Sequence, residues 1–109
     1  MGAYALLAIA IAAEVAGTVS LKLSEGFAKP VPSLFVIVGY GVAFFALARA
    51  LKVGMPVGVA YAIWAAAGVA LIAAIGVLFL GETLTVPTVT GLALIIAGVV
   101  LVEWGRVTQ

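Results

Sequence analysis

The sequence has no cysteine, no histidine, no aspartate and no asparagine. Lack of cysteine excludes disulfides and thiolate metal sites, and lack of histidine excludes imidazole bases and Ser-His-Asp triads. Acid–base chemistry is left to four glutamates, and no enzyme activity, metal or cofactor is expected. Charge is scarce too: 8% of residues are charged, against about a quarter in an ordinary soluble domain. The net charge of +1 offers nothing to a nucleic acid. What is present is apolar, 67% of the chain, with a mean hydropathy of +1.43. A chain of 109 residues has too little interior to hide that surface, so lipid is the expected solvent.

The few charges divide the chain. Apart from Glu14, residues 1–21, 30–48, 53–81 and 83–102 carry none. A helix needs roughly 20 apolar residues to cross a hydrocarbon core of about 30 Å, so each stretch supplies one span. The spans are placed near 4–21, 32–50, 57–80 and 86–104, and residues 1–109 are read as one all-α domain of four transmembrane helices. The first span lacks a basic leading segment and three more follow it, so it is read as a retained span rather than a cleaved signal. Pro30 and Pro32 suit the start of the second helix, and Thr83 or Thr85 suits the cap of the fourth.

With four spans both termini lie on one side of the membrane. That side carries Arg49, Lys52 and Arg106, and the other carries Lys22 and Lys29. Three against two is almost no bias under the positive-inside rule. Either one orientation is fixed by a single charge, or the chain inserts both ways and can pair as an antiparallel homodimer. Glu25, Lys29, Glu82, Glu103 and Arg106 are expected in water or among headgroups.

Glu14 departs from this pattern. It sits in "AIAIAAEVAGTVS", about 2 Å from the middle of its span at 1.5 Å per residue. A charge there costs at least about 2.5–3.5 kcal/mol, and such residues tend to face a bundle interior or a wet cavity. At helical spacing, Leu7, Ala10, Gly17, Thr18 and Leu21 share its face. Ala10, Gly17 and Thr18 are small enough for another backbone or a ligand to approach.

Tyr40, with Phe44 one turn on, lies too deep in the second span for an interfacial belt. Its buried hydroxyl needs a partner: Glu14, the strong acceptor at that depth, or a backbone carbonyl. In the third span Tyr61 and Trp64 are three apart and share one face, extended by Gly58 and Gly68. Aromatic faces near an embedded carboxylate suit a flat organic cation, through cation–π and charge contacts respectively. In the fourth span Gly91 and Gly98 lie seven apart, the spacing of one close-packing seam, within a subunit or between two.

Four short spans with "AEVAGT", "LKLSEGF", "GVAYAIW" and "GLALIIAGV" resemble the small multidrug resistance family over about residues 4–104. The resemblance implies a bacterial inner-membrane exporter that exchanges protons for toxic cations as an antiparallel homodimer. It puts the family's essential carboxylate on Glu14, its aromatic site residues on Tyr4, Tyr40, Tyr61 and Trp64, and its dimer motif on Gly91 and Gly98. The guanidinium-exporting branch typically has Trp shortly after the glutamate. Here Ala16, Gly17 and Thr18 follow, which favours quaternary ammonium and polyaromatic cations. A guanidinium or polyamine exporter and a non-transporting half of a heterodimer are the alternatives. The chain departs from the family pattern at Ala43, where Ser is common, at Ala66, where Gly is, and at Arg49, where a neutral polar residue is.

Overall fold

The structure is a computed structural model that describes residues 2–107, without the side chains of Arg106 and Val107. The expected headgroup position of Arg106 therefore lies outside the described side chains. Among the described residues the chain forms four α-helices: α1 (Ala3–Leu23), α2 (Pro30–Val53), α3 (Val57–Phe79) and α4 (Val86–Val107). All four are long and apolar enough to cross a membrane. They are 21, 24, 23 and 22 residues long, hence roughly 32–36 Å at 1.5 Å per residue.

The helices are longer at several ends than the spans read from the charge gaps, because a charged residue near a membrane boundary does not stop a helix. α1 continues through Lys22 and α2 through Lys52, whose flexible stems can lie along the helix while their heads reach water. α2 ends where Gly54 takes φ +125°, a conformation that a side chain disfavours. It starts at Pro30, ahead of the expected residue 32, because proline is tolerated in a first turn whose N–H groups have no intrahelical acceptor. Ser33 Oγ donates to the Lys29 carbonyl at 2.6 Å beneath that turn. At the start of α4, Thr85 rather than Thr83 is the cap: its Oγ1 accepts from the Thr88 amide at 3.4 Å.

Two helix pairs make up the fold. In the first, α1 packs against α2 along its length, joined by a tight loop. Glu25, Gly26 and Phe27 all have positive φ there, at 50°, 71° and 68°. The loop is held by Ser24, whose buried hydroxyl donates to the Leu21 carbonyl at 2.7 Å and accepts from the Phe27 amide at 3.1 Å. A surface ion pair, Lys29 with Glu25 at 3.0 Å, spans the same turn.

The second pair joins α3 to α4 through a smaller contact. α3 is helical throughout, including Ala66 and Gly68. Beyond it Gly81 takes φ +71°, and the Glu82 side chain folds against Gly76 where a Cβ would collide with it. No described side chain of α4 is buried. Phe35, Phe45, Phe79, Leu94 and Leu101 are among many large apolar groups exposed on the chain. In water such a surface would drive aggregation; in a bilayer it is the face that meets lipid or another protein.

Candidate functional site

The site is built on the first helix pair. Glu14 stands one residue past the middle of α1, and Tyr40 close to the middle of α2. Both are half-buried. Residues four apart on a helix are neighbours, so Thr18 stands beside Glu14, and its Oγ1 donates to Glu14 Oε1 at 2.9 Å. Across the helix interface, Thr18 Oγ1 lies 2.8 Å from the Tyr40 hydroxyl.

The polarity of this chain follows from a proton count. A threonine hydroxyl has one hydrogen and two lone pairs, and an ionised carboxylate only accepts. While Glu14 is ionised, the Thr18 proton is committed to it and the Tyr40 hydroxyl must then donate to Thr18. The order is Tyr40 to Thr18 to Glu14. The hydroxyl of Tyr40 is thus satisfied neither by Glu14 directly nor by backbone; Thr18 stands between.

Glycine makes the approach possible. A Cβ on Gly17 would lie 3.2 Å from Cδ1 and Cε1 of the Tyr40 ring. A Cβ on Gly39 would lie 2.9 Å from the Ala13 carbonyl oxygen, 3.0 Å from Gly17 Cα and 3.1 Å from Gly17 N. The helices are therefore in backbone contact one residue from Tyr40 and one turn from Glu14. Close approach through small residues is how helices associate in lipid, where no hydrophobic force presses them together. Gly39 did not stand out in the sequence, since Gly41 flanks Tyr40 equally, yet a Cβ on Gly41 would meet nothing within 4 Å.

The other expected site residues divide between the two helix pairs. On α1, Leu7 and Ala10 are buried with Gly17, while Tyr4 in the first turn is exposed. On α2, Phe44 is exposed, whereas Ala43, where a serine would have been a further donor, is fully buried. Arg49 places its guanidinium 5.9 Å from the centroid of the Phe45 ring one turn back, at the upper end of a cation–π contact. In the second pair, Tyr61 and Trp64 lie one turn apart on α3, Tyr61 exposed and Trp64 half-exposed. On α4, a Cβ added at Gly91 or Gly98 would meet nothing within 4 Å. Neither glycine is needed for packing within the described chain.

A family model described as Small Multidrug Resistance protein matches residues 2–95. The chain is 48% identical over 103 residues to the quaternary ammonium compound-resistance protein QacE of Escherichia coli, covering 94% of this chain and 93% of that one. It is 45% identical over 100 residues to QacF of Klebsiella aerogenes, also named for quaternary ammonium resistance, covering 92% and 90%. It is 48% identical over 97 residues to the multidrug resistance protein mmr of Mycolicibacterium paratuberculosis, covering 89% and 91%. With four helices fit to span a bilayer, the chain is a multi-pass protein of the inner, plasma membrane, and it belongs to the small multidrug resistance family.

Proposed function

We propose that the chain is a proton-coupled antiporter that exports lipophilic, quaternary ammonium and polyaromatic cations, working as an antiparallel homodimer. The observation that carries this reading is the carboxylate of Glu14, half-buried at mid-depth and held by a chain of two hydroxyls. A carboxylate there has two ways to be neutralised, by a proton or by an organic cation. The two compete for one group, and that competition is the coupling. Each of two protomers contributes one Glu14, so the pair of carboxylates serves one cation and the protons that displace it. When protons hold the pair the drug is released; when the pair is ionised the drug is bound. Alternate opening to the two sides then carries protons in and drug out, and the membrane potential adds about 2.3 kcal/mol per net charge per 100 mV.

Other features support the finer points. The resistance to quaternary ammonium compounds named for QacE and QacF supports the substrate class. Tyr61, exposed, and Trp64, half-exposed, lie one turn apart on α3 and suit stacking against an aromatic cation. The absence of a tryptophan shortly after Glu14, where Ala16, Gly17 and Thr18 stand, supports bulky cations over guanidinium. The glycines of α4, idle within the described chain, and the near-even distribution of Lys and Arg support a seam between two oppositely inserted copies.

The deciding experiment measures tetraphenylphosphonium binding and pH-gradient-driven uptake in liposomes, for the native chain and for Glu14→Gln. The native chain should bind more weakly as pH falls and should exchange cation for protons. Glu14→Gln should insert, yet lose both the pH dependence and the exchange. Retained exchange in Glu14→Gln, or native binding indifferent to pH, would end this reading.

A further inference from the structure

We propose that Gly39 is a positioning residue for Glu14: its missing side chain sets the approach of α2 to α1 at which the Tyr40 hydroxyl reaches Thr18 and, through it, the carboxylate. The inference rests on the reading of Glu14 as the shared proton and cation site, and adds a residue that touches neither. The three atoms nearest a Gly39 Cβ, the Ala13 carbonyl oxygen and Gly17 Cα and N, are backbone. Backbone cannot rotate aside as a side chain would. A methyl at position 39 therefore has to displace α2 from α1 as a body. The Thr18–Tyr40 bond, already at 2.8 Å, crosses the same interface one residue away. An O–H···O bond spans about 2.5–3.0 Å, so a shift of a few tenths of an ångström carries this one past that range. The Thr18–Glu14 bond lies wholly within α1 and survives such a shift. Gly39 thus controls the inter-helix link of the chain and leaves the intra-helix link alone.

Gly17 acts on the same link by a softer route. Its Cβ would press on the Tyr40 ring rather than on backbone, so a methyl there tilts the ring and leaves the helices in place. Gly41 provides the control. It is a glycine of the same helix with open space around its Cβ position, so Gly41→Ala carries the same gain in helix propensity with no displacement.

The test compares Gly39→Ala, Gly17→Ala and Gly41→Ala, each with and without Tyr40→Phe, in the full chain in lipid micelles. Three readouts are taken: the tyrosine hydroxyl donor signature by ultraviolet resonance Raman, as a difference against Tyr40→Phe; the unfolding equilibrium in denaturing detergent; and the pH profile of tetraphenylphosphonium binding. In the native and Gly41→Ala backgrounds, Tyr40→Phe should remove the donor signature, shift unfolding by about three-fold or more, and alter the binding profile. In Gly39→Ala the donor signature should already be lost, Tyr40→Phe should shift unfolding by less than about two-fold, and the binding profile should no longer respond to it. Full sensitivity to Tyr40→Phe in Gly39→Ala overturns the proposal. If Gly39→Ala does not fold while Gly41→Ala does, the proposal is overturned and Gly39 is assigned to helix packing alone. The Raman and unfolding readouts need no cation, so failure of the positioning role stays distinguishable from failure of the transport reading.

Discussion

Replacing Thr18 by Val keeps the shape of the side chain and removes its hydroxyl, which makes it the sharpest probe of the Tyr40–Thr18–Glu14 chain. In the structure that hydroxyl serves two hydrogen bonds, 2.9 Å to Glu14 and 2.8 Å to Tyr40. Inter-helix hydrogen bonds in bilayers average about 0.6 kcal/mol and reach about 1.7, because the unfolded chain in lipid also finds partners. Tyr40→Phe, which deletes one bond, should therefore destabilise by about 0.6–1.7 kcal/mol. Thr18→Val deletes that inter-helix bond together with the bond to Glu14 inside α1, and should cost more than Tyr40→Phe. Once Thr18 is Val, the bond that Tyr40 would lose is already gone, so the double variant should match Thr18→Val alone. The coupling energy then equals the single Tyr40→Phe value, about 0.6 kcal/mol at the average strength of such bonds, just above the 0.3–0.5 kcal/mol within which independent sites add. Denaturing-detergent titration of the four proteins at one alkaline pH measures it. Additivity within about 0.3 kcal/mol would show that Thr18 and Tyr40 act independently, and would refute the chain as described.

Further predictions concern the second helix pair. Trp64→Ala should weaken binding of aromatic cations such as ethidium by about ten-fold and of tetramethylammonium by much less, given about 0.5–2 kcal/mol for a cation–π contact plus lost stacking area; equal losses across a cation panel would assign Trp64 to packing. Gly98→Val should leave the helix content of the chain intact, because a Cβ there meets nothing within 4 Å, while the dimer population seen by cross-linking falls; an unchanged dimer would move the seam elsewhere.

Much of the first helix of the site was legible in the sequence. A lone acid with no other charge before Lys22 identified Glu14, and the helical repeat alone placed Thr18 beside it, since that neighbour is fixed by local geometry. The partner of Tyr40 was not legible. Glu14 was the strong acceptor at the right depth, but depth is one coordinate and rotation about the helix axis is another. The same blindness hid Gly39. Between Gly39 and Gly41, two residues apart and so on different faces of α2, nothing in the local sequence says which one meets α1.

The solvent, the four helices and the depth of the acid follow from composition and from distances along the chain. That Thr18 links Tyr40 to Glu14, that Gly39 is the tight contact and that Thr85 rather than Thr83 caps α4 came from the packed helices. In a span that is apolar on every face no amphipathic stripe marks the inward side, so the rotation of each helix is set by which small residues let two backbones touch.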